Sequence, residues 1–115
     1  MKEENVIKDK SMEFSVRIVR LYKFLSEHQR EHVMSKQILR SGTSIGANVR
    51  EAVYGQSRKD FVSKMSIALK EAAETEYWLE LLHKTEYLQQ DAFESVMADC
   101  QEICKLLTAI VRSSK

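Results

Sequence analysis

Apolar residues return every three or four positions along four separate stretches of this chain, the spacing that lines one face of an α-helix. Phe14, Ile18, Leu21 and Leu25 form the first stripe, widened by Val16, Val19, Tyr22 and Phe24. Ile38, Gly42, Ile45, Val49 and Ala52 form the second. The third is the most regular, with Phe61, Met65, Ala68, Ala72, Thr75, Leu79 and Leu82 in an unbroken four-three rhythm. Phe93, Val96, Cys100, Ile103, Leu107 and Ile110 make the fourth, joined by Met97, Cys104, Leu106 and Val111. The pattern predicts helices over about 11–27, 36–54, 58–84 and 91–112, in one domain spanning 1–115. Residues 1–10 are charge-rich and add at most a turn through Val6 and Ile7.

Local signals mark the ends. Ser35 is read as the N-cap of the second helix and Asp91 as that of the fourth, since a side-chain oxygen there accepts from exposed first-turn amides. Gly55 closes the second helix, and Ser57 with Asp60 three residues on has the form of a capping box. Gly42 and Gly46 lie inside a helical stripe, where glycine costs about 0.5–1 kcal/mol relative to alanine. Their spacing of four puts both on one face, where a neighbouring helix would approach closely; a loop at 41–44 is the rival reading. A helix over 58–84 is roughly 40 Å long and needs partners of similar length beside it. The expected fold is all-α, an antiparallel up-down-up-down four-helix bundle.

Composition supports helices and narrows the chemistry. Among 115 residues there is no proline and only three glycines, too little turn punctuation for a β-rich domain. The net charge of +1 lacks the basic excess of a free-standing nucleic-acid binder. No apolar run is long enough to span a bilayer, the polar start is unlike a signal peptide, and Cys100 and Cys104 are too close to staple separate elements. A reducing cytoplasm is the expected setting, with no membrane partner.

No serine, cysteine or histidine set pairs a nucleophile with a base, and no glycine-rich phosphate loop occurs, so neither an enzyme nor a cofactor is expected. No metal site is expected either. Glu80 and His83 match the Glu-x-x-His element of di-iron bundles, which need two such elements, and His28 with His32 offers only two ligands. The cysteines read as core thiols.

The second and third helices carry polar residues where a simple bundle would place leucine: Arg40, Ser44, Asn48 and Glu51, then Lys70, Glu71 and Glu74. Counting outward from the connection near residue 56 sets Arg40 opposite Glu71 and Glu74, which predicts an ion pair. This set is read as a polar layer that fixes register or an oligomeric interface. Tyr77 and Trp78 flank the third stripe, one expected inside and the other outside as an interface anchor. Residues 11–30 carry a net +2 and residues 85–115 a net −2. Arg17, Arg20, Lys23, Lys36, Arg58 and Lys59 are the candidate RNA contacts, although interspersed charge is also how an ordinary helix surface looks.

The middle of the chain resembles a known family. The run Gln37-Ile38-Leu39-Arg40-Ser41-Gly42-Thr43-Ser44-Ile45-Gly46-Ala47-Asn48-Val49-Arg50-Glu51-Ala52 carries the resemblance. So do Ser57 with Lys59-Asp60-Phe61, Ile67 to Ala72, Glu74-Thr75 and Tyr77-Trp78-Leu79. The family comprises four-helix bundle proteins encoded in intervening sequences of bacterial large-subunit ribosomal RNA genes. It is similar in fold to the accessory variability determinant of diversity-generating retroelements. The resemblance covers most of residues 11–112 and implies a bundle that assembles as a ring of five copies. It further implies a role near RNA, so that RNA or an RNA-associated protein joins the chain itself as an expected partner. The near-neutral charge departs from the strongly basic retroelement relatives.

Overall fold

Ser57 sits in extended backbone and its Oγ accepts from the Asp60 N–H at 3.0 Å, starting the longest helix where the capping signal lies. In the computed structural model, which describes residues 2–115, that helix is α3, Arg58–Lys84. Met65, Ala68, Ala72, Thr75, Leu79 and Leu82 are all buried along it, whereas Phe61 at its start is half-buried. The helix stops in a Schellman turn. Glu86 takes a positive φ of 72°, its N–H bonds His83 O at 3.1 Å, and the Tyr87 N–H reaches Leu82 O at 2.9 Å.

The other rods are α1 (Lys2–Glu27), α2 (Met34–Val53) and α4 (Gln90–Ser114). α1 starts far earlier than residue 11. Ile7 is fully buried, and that one core contact extends the helix through a polar stretch with no stripe of its own. The widening of the first stripe is also corrected. Val16, Val19 and Phe24 are exposed and point away from the core that Phe14, Ile18 and Leu25 enter.

Two expected caps do not form. α2 begins at Met34, and Ser35 is a buried residue of its first turn. The capping role falls to Glu31, whose carboxylate accepts from the N–H groups of Val33, Met34 and Ser35 at 3.2, 3.1 and 2.7 Å. Ser35 Oγ in turn donates to the Glu31 carbonyl at 2.7 Å. α4 begins one residue before Asp91, with Gln89 at the cap position and no side-chain cap bond.

Gly42 and Gly46 stay within α2 without a break. A methyl group on Gly42 would lie 2.8 Å and 2.9 Å from the Ile18 Cγ1 and Cγ2 atoms, and one on Gly46 would lie 3.1 Å from Ser15 Oγ. The glycines therefore let α1 lie against α2 more closely than alanine would permit.

Contacts between rods give the direction of each. Lys8 meets Tyr54 while Ile18 meets Gly42, so α1 and α2 run oppositely. Arg40 meets Glu74 while Glu51 meets Lys64 across α2 and α3. His83 stacks on Phe93 at 4.1 Å while Cys100 reaches Ala72 O across α3 and α4. Lys10 meets Glu102 while Arg17 meets Asp99 across α1 and α4, closing the square. The up-down-up-down rod measures 43 × 20 × 18 Å. Its axis is filled by Ile18, Leu25, Ile38, Ile45, Met65, Leu79 and Leu107.

Candidate functional site

The predicted ion pair forms on the α2–α3 seam. Arg40 Nη1 donates to Glu71 Oε2 at 3.3 Å, and Nη2 donates to Glu74 Oε2 and, at 3.4 Å, to Gln37 Oε1. The Trp78 indole donates to the same Glu74 oxygen at 2.9 Å. Next to it, the hydroxyls of Ser41 and Thr75 hydrogen-bond to each other at 2.9 Å, and Thr75 Oγ1 donates to Glu71 O at 2.8 Å. Ser41 and Thr75 are both fully buried, while Arg40 remains half in water. A guanidinium held by two carboxylates, one of which also accepts from an indole, is fixed in orientation, and its partial exposure limits what each pair adds to stability.

The remaining polar-layer residues do not join it. Asn48 Nδ2 caps the Ser44 carbonyl of its own helix at 2.9 Å. Glu51 is exposed and pairs with Lys64 at 2.9 Å, and that hydrogen bond raises the Lys64 ammonium above its ordinary lysine value. Lys70 is exposed. The expected layer is thus a surface seam of separate pairs over one buried hydroxyl pair. Of the two aromatics, Trp78 packs partly against the core and Tyr77 is exposed, their rings meeting edge to face at 5.0 Å.

The basic candidates are scattered. Arg17 is held by α4, donating to Asp99 Oδ2 at 2.6 Å and Ser95 Oγ at 2.7 Å. Arg20 and Lys23 are exposed on the outer side of α1, and Lys36 is exposed beside the 28–33 connection. Arg58 and Lys59 lie at the opposite end of the rod, roughly 30 Å away at 1.5 Å per helical residue. His28 and His32 are exposed in or beside the same 28–33 connection.

Two features were not anticipated. Met12, Val16 and Val19 step by four and three along the side of α1 turned away from the core, and they are 49%, 42% and 37% exposed. The signal is a second apolar rhythm offset from Phe14 and Ile18, of which the wider first stripe takes in Val16 and Val19. The second feature joins Glu76 of α3 to Cys100 and Cys104 of α4. Cys104 Sγ donates to Glu76 Oε2 at 2.9 Å and Cys100 Sγ to Ala72 O at 3.4 Å. Both thiols are free. The hydrogen bond with Cys104, then burial, pushes the Cys100 thiol far above its ordinary value.

These observations define the class first: an all-helical, antiparallel bundle whose distinctive groups lie on its faces. No helix among the described residues is long and apolar enough to cross a membrane. Residues 3–109 match the model of the 23S rRNA-intervening sequence protein family, and the chain belongs to that family. It is also similar to a crystal structure, at 1.70 Å resolution, from Bacteroides thetaiotaomicron VPI-5482, described as a protein with unknown function from the S23 ribosomal protein family. The two are 64% identical over 96% of this chain and 98% of that one, with a TM-score of 0.94. No curated protein matches the chain.

Proposed function

We propose that this chain is a non-enzymatic scaffold that works as a homo-oligomer, a ring of five helical bundles presenting a repeated surface to another macromolecule. The observation that carries this reading is the apolar ridge of Met12, Val16 and Val19 on a helix whose opposite face is already buried. A contiguous apolar strip with no core to fill is the usual mark of a protein–protein contact. The Arg40–Glu71–Glu74 clamp supports the same reading, because it holds α2 and α3 in register without offering a reactive group.

Light scattering tests it directly. The reading expects a mass near five times 13.4 kDa for the wild type and a smaller species for Val16→Glu with Val19→Glu. A strict monomer at micromolar concentration overturns it.

A second reading, an RNA-binding accessory module, draws on Arg20 and Lys23, which are exposed beside that ridge. A ring would repeat this weak patch and multiply its avidity. Mobility shifts with structured RNA should then weaken with salt and with charge reversal at Arg20 and Lys23. No shift at low salt ends this second reading.

A further inference from the structure

We propose that Glu76, Cys100 and Cys104 form a binding site for a zinc-class metal ion on the α3–α4 seam. Cys100 and Cys104 are four residues apart on α4, so their side chains leave the same face one turn apart. Antiparallel packing brings Glu76 of α3 against that face. The three donor atoms, two sulfurs and one carboxylate oxygen, all lie within 4.8 Å of one another. Zinc–ligand distances near 2.3 Å for sulfur and 2.0–2.2 Å for oxygen separate the donors of a tetrahedral ion by about 3.5–4 Å, within reach of small side-chain rotations.

The donor set selects the ion. Two thiolates are soft ligands that favour zinc and its neighbours over calcium or magnesium, which take oxygen. A shallow groove lined by Gln101, Glu102 and Lys105 opens beside Cys104 and Glu76. It offers an entry path and leaves the fourth position to water. A Cys100–Cys104 disulfide does not account for the arrangement. Residues four apart on a helix keep their Cβ atoms about 5–6 Å apart, beyond the roughly 3.5–4.5 Å that a disulfide spans. On binding, each sulfur gives up its proton to solvent and coordinates as thiolate; no electron is transferred.

Cobalt reports thiolate ligation by colour. Reduced, chelator-stripped full-length protein titrated with cobalt(II) should develop an intense near-ultraviolet sulfur-to-cobalt absorption that saturates at one ion per chain and is bleached by zinc. Cys100→Ser combined with Cys104→Ser should abolish the band. Glu76→Gln, at a half-exposed position, should weaken cobalt binding by at least the roughly tenfold that loss of an outer-shell partner costs, while the band survives at saturation. Circular dichroism checks that each variant retains the helical signal. Absence of the charge-transfer band in the folded wild type, or equal affinity in Glu76→Gln, overturns the three-ligand site. Because the readout is absorbance per chain, failure here leaves the oligomeric scaffold untouched, and a monomer would leave this site untouched.

Discussion

Replacing Gly42 with alanine sets two effects of opposite sign against each other. Inside a helix the exchange gains about 1 kcal/mol of intrinsic propensity. Against this, the new methyl would lie 2.8 Å and 2.9 Å from the Ile18 Cγ1 and Cγ2 atoms. Those atoms branch directly from Cβ on a buried residue whose χ1 is nearly locked in a helix, so they cannot swing aside as the tip of a flexible chain would. Overpacking of this kind costs about 1–3 kcal/mol, and the balance is a net loss of up to about 2 kcal/mol. Urea unfolding followed by circular dichroism measures it, with Ile18→Ala as the second arm. Ile18→Ala alone should lose about 2–5 kcal/mol, and Gly42→Ala placed on top of it should stabilise, because its obstacle is gone. The coupling between the two substitutions is therefore the decisive quantity. Gly42→Ala raising the stability of the otherwise native chain, or costing the same with and without the Ile18 side chain, would refute the close-packing argument.

Leu79 is fully buried on α3. Leu79→Ala should cost about 2–5 kcal/mol in the same assay, and a loss below about 1 kcal/mol would place α3 in the wrong rotation. Burial tends to raise the Glu31 carboxyl, but the three backbone amides it accepts from outweigh this, so its folded pKa lies below the ordinary glutamate value. A lowered carboxyl contributes stability above its unfolded pKa and loses it as pH falls toward the folded one. Glu31→Gln should therefore cost about 1–2 kcal/mol near neutrality, the range of a helix cap, with the gap to wild type narrowing in acid. A gap that is constant with pH would remove the capping role. Glu86 holds the left-handed position at the end of α3, so Glu86→Gly should stabilise by up to about 1 kcal/mol. A destabilisation measured by thermal melting would contradict the Schellman assignment.

What could be read from the residues alone depended on how much each element says locally. α3 was legible from end to end because its core stripe is continuous and its serine cap sits in sequence where it acts. The Arg40 clamp was legible because one short connection fixes the α2–α3 register, and counting outward from it is enough. The same counting about residue 88 pairs positions 72–76 with 100–104, which brings Glu76 to the cysteines. The first turns of α1 were hidden because one isoleucine, Ile7, anchors a stretch with no periodicity. Glu31 is not legible as a cap because it acts from outside the helix, where it reads as part of a charged connection. The outward valines of α1 show the limit of hydrophobicity itself, which marks a surface as avoiding water without saying whether its cover is the same chain or another.

The seam between α1 and α4 is the thinnest of the four in the square. It is bridged by Arg17 and Lys10 across a groove of about 670 Å³ that Leu21, Phe24 and Val96 help to line. The opposite edge of α1, pressed into the glycines of α2, leaves a smaller groove of about 270 Å³. Breathing of the rod should then resemble a book whose spine is α2 with α3, with α1 as the cover that lifts from α4. Such partial opening falls where packing is sparsest. A helix that both lifts most readily and carries an outward apolar ridge is the element whose mobility a neighbouring copy would quench on docking.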